Sequence, residues 1–384
     1  MRQHGQKTEG LISWHFRNVM INEEGTTTTL PFIQNVEHLS KYLSLDDKEK
    51  GDIDNVSHYH PLKIPEYYIS IMDKDNPFCP IRKQSVPSGE ELINNGKLDP
   101  LNEKGYSATP AFIKKYPGRG VFLVNAECAM YCRFCNRRRF TGGGWNPRKH
   151  WEETFRYIEK DEEIHEVILS GGDPFMLSPD ELQYILGRLR IIERIKVIRI
   201  STRVPVVFPN GLHEDHLAVI KDNSPIWIVV HINHPKEITH VFMEKVKRFR
   251  EAGGIIISQT VLLRGVNDCP YILQNLFENL VYCGIKPYYL FQLDEVRGAM
   301  HFKVKIAKGI EIMRFLRINT SGLALPHYVI DIPGGLGKVP VDYRYIKKRK
   351  TNKIHLEGFS ATVGIYCDDG KKSRCTECGL CKKT

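Results

Sequence analysis

Three closely spaced cysteines are the residues of this sequence with the clearest potential for chemistry. Cys128, Cys132 and Cys135 lie in the run E-C-A-M-Y-C-R-F-C-N-R-R-R-F with the spacing C-x3-C-x2-C. Three thiolates can hold three irons of a [4Fe–4S] cube and leave the fourth iron open, whereas clusters that only transfer electrons normally have four protein ligands. An open metal position indicates chemistry at the metal. Zinc ligation, or a chance grouping of cysteines, is the alternative that the spacing leaves open.

A glycine-rich segment is the second candidate, D-I-P-G-G-L-G-K from Asp331 to Lys338. Its glycines allow sharp turns and a close approach to a bound group. A lysine after such a loop can bind phosphate, or form an imine with an aldehyde cofactor such as pyridoxal phosphate. Many loops of this composition are ordinary turns, so the segment alone does not decide between these uses.

The segments that must position these residues alternate between strand and helix patterns. Helix patterns include one that begins after Ser178, a capping residue followed by Pro179 and Glu181, and one over Lys303–Arg317. Short apolar runs predict seven strands: Val121–Val124, Val167–Leu169, Val197–Ser201, Ile226–His231, Ile255–Gln259, Tyr288–Gln292 and His327–Ile330. Such alternation predicts a parallel sheet, either doubly wound or curved into a barrel.

The composition narrows the class of protein. A chain of 384 residues can bury a large core. It shows neither an apolar run of about 18 residues nor a signal-peptide pattern, so we expect a cytoplasmic protein without a membrane partner. Ten clustered cysteines in such a chain indicate metal sites rather than disulfides. The net charge of +10 is dispersed, and a run such as Lys347–Lys350 is typical of a solvated face, so we expect no nucleic-acid partner.

Taken together, the motifs resemble those of the lysine 2,3-aminomutase family, which combines radical SAM chemistry with pyridoxal phosphate. The resemblance extends from about Ile12 to Lys383. Its motifs in chain order are Y-Y-I-S-I-M-D, R-K-Q-S-V-P, C-A-M-Y-C-R-F-C-N-R-R-R-F, L-S-G-G-D, T-R-V-P-V-V, H-I-N-H-P-K-E-I-T, L-L-R-G-V-N-D-C, K-P-Y-Y-L, T-S-G and P-G-G-L-G-K. It implies an α/β fold, with a partial TIM-like (β/α) radical-SAM barrel over residues 110–340. A mostly helical N-terminal region would cover residues 1–109, and a C-terminal metal-binding extension residues 341–384.

The resemblance also implies which residues bind the cofactors. Cys128, Cys132 and Cys135 would ligate a [4Fe–4S] cluster whose open iron is chelated by S-adenosylmethionine. Residues at strand ends would lie near that second cofactor: Ser170, Gly171, Gly172, Asp173, His231 and Gln259. Lys338 would carry pyridoxal phosphate as an imine. Arg119 would contact its phosphate, together with Lys115, which stands where the family commonly has Arg.

Three further residues are implied to bind the substrate. Arg137 falls at the position that binds the α-carboxylate, which suits a planar guanidinium. Asp294 and Asp331 match two aspartates that hold the side-chain ammonium of lysine, whereas glutamate-acting relatives have Lys and Asn there. Two buried carboxylates repel each other and favour a bound cation. The segment Glu295–Phe302, with Arg297, departs from the lysine enzymes and leaves the identity of the cationic substrate open.

The remaining cysteines are implied to form a structural metal site. Family members join a Cys at the position of Cys269 to three C-terminal cysteines of a neighbouring subunit through zinc, and here those three are Cys375, Cys378 and Cys381. Such a closed site would hold a homodimer, or a dimer of dimers, together. The spacing C-x2-C-x2-C differs from the family's C-x-C-x2-C, which leaves a second iron–sulfur cluster as the alternative.

The implied activity is that of an isomerase. A 5′-deoxyadenosyl radical and a pyridoxal phosphate aldimine would move the 2-amino group of L-lysine to C3 and give β-lysine. An external reductant such as flavodoxin or ferredoxin would supply the electron. Two alternatives stay open, namely the same shift on arginine or another cationic amino acid, including a protein-linked lysine, and a non-catalytic iron–sulfur protein that transfers electrons or binds a partner.

Overall fold

Short elements precede the main sheet of the protein. The computed structural model describes residues 32–140, 144–351, 353–358 and 361–367, and before them the backbone of three strands. These strands, β1 (Ser13–His15), β2 (Val19–Ile21) and β3 (Thr27–Thr29), pair antiparallel in that order. Next come two antiparallel strands, β4 (Phe32–Ile33) and β5 (Ile64–Pro65), and the helices α1 (Val36–Leu39), α2 (Asp47–Ser57), α3 (Glu66–Ser70) and α4 (Pro80–Lys83).

A ten-stranded sheet, hydrogen-bonded in chain order, forms the centre of the fold. It begins with the antiparallel strands β6 (Ser107–Thr109) and β7 (Phe112–Tyr116). The following strands are parallel: β8 (Arg119–Asn125), β9 (Glu166–Gly171), β10 (Val197–Thr202), β11 (Ile226–His231), β12 (Gly254–Leu262), β13 (Lys286–Gln292) and β14 (His327–Ile332). Strand β15 (Gly337–Pro340) closes the sheet antiparallel to β14. Each of the seven predicted strand runs lies within one parallel strand, so that prediction is confirmed.

At least one helix separates each pair of parallel strands. These helices are α5 (Trp151–Lys160), α6 (Pro179–Ile191), α7 (Val204–Val207), α8 (Glu214–Asp222), α9 (His240–Glu251), α10 (Pro270–Tyr282) and α11 (Ile306–Asn319). Helix α6 begins as predicted, because Ser178 and Glu181 cap its first turn reciprocally. Its buried residues Leu182, Ile185, Leu186 and Leu189 recur every three or four positions, which is the spacing of one helix face.

Helix α11 begins later than the sequence pattern predicts. The predicted helix starts at Lys303, whereas the observed one starts at Ile306. The carbonyl of Val304 accepts a hydrogen bond from Gln292 Nε2 at 2.7 Å, which ties the segment to the sheet. Lys305 then has an extended backbone as the N-cap residue. None of the helices in the described part of the chain has the length and apolar character needed to cross a membrane.

The two faces of the parallel sheet have different roles. Along β9, Val167 and Leu169 are fully buried in the core shared with the helices, whereas Ile168 and Ser170 line a cavity. Each of the strands β8 to β14 contributes residues to this cavity of about 800 Å³. A sheet that encloses one cavity and packs its other face on helices is curved. The structure therefore confirms the partial barrel and excludes the doubly wound alternative, in which helices cover both faces.

The chain divides into two compact units, Met1–Val341 and Asp342–Thr384. In the described residues of the second unit, β16 (Ile346–Lys350), β17 (Lys353–Glu357) and β18 (Val363–Cys367) form an antiparallel sheet in that order. All residues of β16 are exposed, as the interpretation of Lys347–Lys350 as a solvated face predicts.

Candidate active site

The cysteine loop leaves the carboxyl end of β8, where the strands of a barrel place their functional loops. Cys132 and Cys135 line the cavity, and the loop turns tightly because Cys135 N donates to Cys132 O at 3.1 Å. Burial raises the pKa of Cys128 well above its usual range and raises the pKa of Cys135 to about 11, and neighbouring cysteines add to both shifts. Thiols in such surroundings lose their protons when a metal binds.

The cysteine loop supplies three free thiols as donors for a metal centre. Within the part of the chain that the structure describes, no three His, Cys, Asp or Glu side chains are placed to hold one metal ion together. In a cube, each cysteine binds a different iron, so its sulfurs lie farther apart than the ligands of one zinc. Three thiols on one loop are the donor set of a [4Fe–4S] cluster with one open iron.

Residues that precede the main sheet hold the cysteine loop in place. Arg133 is almost fully buried, and its Nε and Nη2 donate to the two carboxylate oxygens of Glu91 at 2.8 and 2.7 Å. Its Nη1 donates to Pro61 O at 3.1 Å, and its backbone N donates to Gln84 O at 3.0 Å. A buried bidentate ion pair of this kind fixes geometry.

A pair of glycines allows the loop after β9 to pack against the cysteine loop. Gly171 has φ +116°, and a Cβ there would lie 2.4 Å from Asn125 O. A Cβ on Gly172 would lie 2.0 Å from Glu127 O, next to Cys128 in the chain. Gly172 N donates to Asn125 O at 2.7 Å. Any side chain at Gly172 would push the cysteine loop away.

The next residue, Asp173, uses its carboxylate to fix the loop after β10. It accepts hydrogen bonds from Thr202 Oγ1 at 2.8 Å, from Arg203 N at 2.6 Å and from Val204 N at 3.1 Å. Burial raises the pKa of Asp173. Ser170 lines the cavity, whereas Gly171, Gly172 and Asp173 are not among its lining residues.

Lys338 lies opposite Asp331 in the antiparallel pair of β14 and β15. Its Nζ donates to Asp331 Oδ2 and lies 4.0 Å from the ring centre of Phe291. Its backbone N donates to Tyr116 Oη at 2.9 Å. Burial lowers the pKa of Lys338, against the opposing effect of Asp331. A desolvated lysine with a lowered pKa is suited to imine formation.

The glycine-rich segment is the turn that makes this pairing. Gly334 and Gly335 both have φ +82°, which favours glycine. Gly334 N donates to Pro100 O at 2.8 Å, and a Cβ on Gly335 would lie 2.5 Å from Leu101 O. The close contact with 100–101 fixes the turn and thereby the position of Lys338.

Two cations on adjacent strands face the same cavity. Lys115 lies on β7 and Arg119 on β8, and both line the cavity with Lys338. The guanidinium carbon of Arg119 lies 4.1 Å from the ring centre of Tyr116, the residue that also binds the backbone of Lys338. These cations beside an imine-forming lysine fit the phosphate group of an aldehyde cofactor.

Arg137 lines the cavity with its guanidinium held from two sides. Its Nε donates to Glu103 Oε1 at 2.9 Å, and its Nη1 donates to Ser170 Oγ at 2.9 Å. Arg139 Nη2 donates to the other oxygen of Glu103 at 2.6 Å. Burial opposes the ionisation of Glu103, but the two arginines hold the pKa of that carboxyl below its usual value. The guanidinium of Arg137 is thus oriented before any substrate binds.

Asp294 brings a second carboxylate close to Asp331. Burial raises its pKa to about 6, and the charge of Asp331 adds to this effect. Asn136 Nδ2 donates to Asp294 Oδ2 at 2.8 Å, which opposes the rise. Two carboxylates that repel each other in a cavity form a site for a cation.

The cavity brings most of the predicted site residues together. It is lined by Lys115, Arg119, Cys132, Cys135, Arg137, Ser170, His231, Gln259, Asp294, Asp331 and Lys338. Burial lowers the pKa of His231 to about 3, so its imidazole is neutral. Cys269 begins helix α10 away from this lining, and Cys375, Cys378 and Cys381 lie outside the described residues.

Sequence reasoning missed several residues of the site. Glu103 and Asn136 orient Arg137 and Asp294, and Tyr116 binds the backbone of Lys338. Arg203 donates to the sulfur of Cys132 at 2.8 Å. Arg203 directly follows the parallel strand β10, as the predicted loop follows β9, so its position is a signal that could have identified it. Glu103 carries no comparable signal.

Comparisons with known proteins agree with this geometry. Residues 123–272 match the radical SAM superfamily, and residues 313–381 match the description lysine-2,3-aminomutase. The L-lysine 2,3-aminomutase of Acetoanaerobium sticklandii is 37% identical over 91% of this chain and 85% of its own. That of Methanococcus maripaludis is 38% identical over 91% and 83%. The glutamate 2,3-aminomutase of Clostridioides difficile is 35% identical over 86% and 79%.

The cofactors of these enzymes fit the residues present. Radical SAM enzymes use a [4Fe–4S] cluster and S-adenosylmethionine, and lysine 2,3-aminomutases also use pyridoxal phosphate and bind zinc. The cysteine loop supplies the donors for the cluster, and Lys338 with Arg119 supplies an amine and a cation for an aldehyde phosphate. The chain belongs to the lysine 2,3-aminomutase family of the radical SAM superfamily.

Proposed function

We propose that this protein is a radical SAM isomerase that moves the 2-amino group of L-lysine to C3 and releases β-lysine. The observation that carries the proposal is one cavity lined by Cys132 and Cys135, by Lys338, and by Asp294 and Asp331. It combines the ligands of a radical-generating cluster, an imine-forming amine and a site for a cationic side chain. A small amino acid can meet all three.

When bound, the cluster with S-adenosylmethionine would supply radical chemistry, and pyridoxal phosphate would supply a conjugated π-system next to the amino group. Residues of the chain prepare the site for both kinds of chemistry. Burial of Lys338 increases the fraction of its amine that is neutral and nucleophilic. Lys115 and Arg119 place positive charge where the phosphate group binds, and Gly171 and Gly172 allow the loop after β9 to pack against the cysteine loop.

Arg137 orients the substrate through its α-carboxylate in this proposal. Glu103 and Ser170 hold the guanidinium plane, so little side-chain entropy is lost when a carboxylate binds. Fixing the carboxylate at one end of the substrate and the side-chain ammonium at the other defines which carbon faces the radical source. Orientation of this kind supplies a large share of enzymatic rate enhancement.

The paired carboxylates favour lysine over glutamate as the substrate. Asp331 is neutralised by the ammonium of Lys338, while the charge of Asp331 helps to raise the pKa of Asp294. Lys338 provides one cation for two carboxylates, so the pair keeps an uncompensated negative charge when Asp294 is ionised. A substrate with a side-chain ammonium restores the charge balance, whereas a side-chain carboxylate adds a third negative charge.

Anaerobic reconstitution with iron, sulfide, pyridoxal phosphate and S-adenosylmethionine tests the proposal. The reduced enzyme is given lysine, arginine or glutamate separately, and products are identified by mass spectrometry. We expect β-lysine from lysine alone, and none from the Cys128→Ala variant. A product from arginine only assigns the same shift to another cationic substrate. Absence of any rearranged product and of lysine-dependent isotope exchange contradicts an enzymatic role and favours a non-catalytic iron–sulfur protein.

We also propose the partners that such chemistry needs. A low-potential carrier such as flavodoxin or ferredoxin supplies the electron in the cytoplasm, because the family's cluster must be reduced before each radical forms. A homodimer, or a dimer of dimers, follows if zinc joins Cys269 of one chain to the C-terminal cysteines of another. Sizing experiments with and without a chelator test the second point.

A further inference from the structure

Arg203 makes a buried contact to one of the cluster-binding sulfurs. Its Nη1 donates to Cys132 Sγ at 2.8 Å. Its Nη2 donates to Glu237 Oε1 at 2.8 Å and to Gln84 Oε1 at 2.6 Å, and it lies 3.2 Å from Tyr68 Oη. Only 6% of Arg203 is exposed, so its charge is little screened by water.

The backbone of Arg203 is fixed by the loop after β9. Asp173 Oδ2 accepts from Arg203 N at 2.6 Å and from Val204 N at 3.1 Å. Arg203 directly follows β10, so its guanidinium is placed by the sheet and by a buried carboxylate. This arrangement gives the charge one defined position relative to Cys132.

Glu237 places a negative charge beside the other terminal nitrogen of Arg203. Its side chain is fully buried and accepts hydrogen bonds from Tyr68 Oη at 2.6 Å, Asn233 N at 2.7 Å and His234 N at 2.9 Å. The order of charges is therefore sulfur, guanidinium and carboxylate. The sulfur of Cys132 and the carboxylate of Glu237 therefore both act on the guanidinium of Arg203.

We propose that Arg203 and Glu237 act in opposition to set the reduction potential of the cluster bound at Cys132. The inference rests on the proposed function, since it takes the cluster as bound. Reduction adds one electron, supplied by a low-potential carrier, and makes or breaks no bond. The added negative charge is stabilised by the hydrogen bond from Arg203 to the sulfur, which raises the potential. The charge of Glu237 lowers it. Hydrogen bonds to sulfur and local charge are the main means by which proteins tune such clusters.

The test is an anaerobic redox titration of the reconstituted enzyme, with dithionite as titrant and the reduced cluster followed by electron paramagnetic resonance. For Arg203→Met we expect the ratio of reduced to oxidised cluster at a fixed potential to fall at least about tenfold, equivalent to ~59 mV. For Glu237→Gln we expect the ratio to rise. Arg82→Met is the matched control, because Arg82 is also buried and ion-paired, and its side chain donates to Ser44 O and Glu49 Oε1 rather than to a cysteine.

Shifts of the reduction potential in opposite directions distinguish tuning from a structural role. Loosened packing gives no reason for the two variants to shift in opposite directions. Shifts in the same direction, or no shift in either variant, overturn the inference. If the Met variant loses iron, Arg203→Lys replaces it in the test. We then expect a downward shift of the reduction potential that is smaller than the upward shift of Glu237→Gln. The titration needs no substrate. Failure to make β-lysine therefore contradicts the proposed function alone, and failure to bind a cluster overturns both.

Discussion

Asp331 and Lys338 are directly opposite residues of β14 and β15, and the Nζ of Lys338 donates to Asp331 Oδ2. The lysine proposed to carry the aldehyde cofactor is therefore the ion-pair partner of a carboxylate proposed to hold the substrate. If Lys338 carries the cofactor as proposed, the carboxylate of Asp331 would lose this ammonium partner and become available to a second cation. The proposed function therefore couples cofactor loading and substrate binding through this one pair of side chains.

The first prediction concerns Asp331→Asn. We expect kcat/KM for lysine to fall roughly 10- to 150-fold, because a hydrogen bond to a charged group contributes about 1.5–3 kcal/mol. Borohydride reduction followed by peptide mapping should still place the pyridoxyl label on Lys338, since the amine is retained. Asp222→Asn, at the exposed end of α8, is the control and should behave as wild type. Unchanged lysine kinetics, or a label on Lys115, contradicts the assignment.

The second prediction is a pH dependence that originates in Asp294. Burial, with the added charge of Asp331, raises its pKa to about 6. A cationic side chain is bound by the ionised carboxylate, so the KM for lysine should rise as the pH falls through about 6 and stay level above about pH 7. Asp294→Asn should raise KM and remove this dependence. A KM profile that is identical in wild type and variant contradicts the role of Asp294.

The raised pKa of Asp294 also predicts how this residue changes the stability of the folded protein with pH. Its pKa is raised in the folded state from 3.8 to about 6, so the folded protein binds more protons than the unfolded chain in this window. The contribution of Asp294 to stability is present at low pH and is lost as the pH rises through 6. At pH 8, Asp294→Asn should therefore raise the melting temperature, reflecting a gain of about 1–3 kcal/mol. Asp222→Asn should leave it unchanged, and a lowered melting temperature for Asp294→Asn contradicts the burial of an uncompensated charge.

A fourth prediction tests the contact between the glycine loop and the cysteine loop. In Gly172→Ala the new Cβ would lie 2.0 Å from Glu127 O, so the cysteine loop must move. We expect reconstituted iron and the visible absorbance of the cluster to fall by more than half, although no ligand is changed. Gly322→Ala is the matched control, since nothing lies within 4 Å of its Cβ. Full iron content in Gly172→Ala would show that the two loops do not depend on each other.

The barrel and its ligand loops could be predicted from the sequence because the signals are local. Runs such as Ile226–His231 are apolar and bounded by helix patterns, and parallel strands buried on both faces have this composition. The cysteine spacing and the residues that follow each strand identify the loops at the carboxyl edge. The alternation could not distinguish a flat sheet from a curved one, because curvature depends on how the strands pack together.

The interactions between distant segments could not be predicted in this way. The position of Lys338 opposite Asp331 depends on the register of β15, which follows from the geometry of the intervening turn. The orientation of Arg137 depends on Glu103, which begins a short 3₁₀ helix with no recognisable motif. The raised pKa of Asp294 depends on burial and on Asp331, and both are properties of the folded chain.

The last prediction concerns the zinc site, for which the described residues include only Cys269. This residue is the N-cap of α10 and is partly exposed, and its thiol is free. If it meets Cys375, Cys378 and Cys381 of another subunit, metal analysis should show about one zinc per chain beyond the cluster iron. Cys375→Ser should lose this zinc and weaken the assembly in sizing experiments, while the catalytic cluster remains. Cys283→Ser, at the other end of α10, is the control and should keep both metals. Four additional irons in place of zinc would show a second cluster, and a zinc-bound monomer would show that one chain forms the site alone.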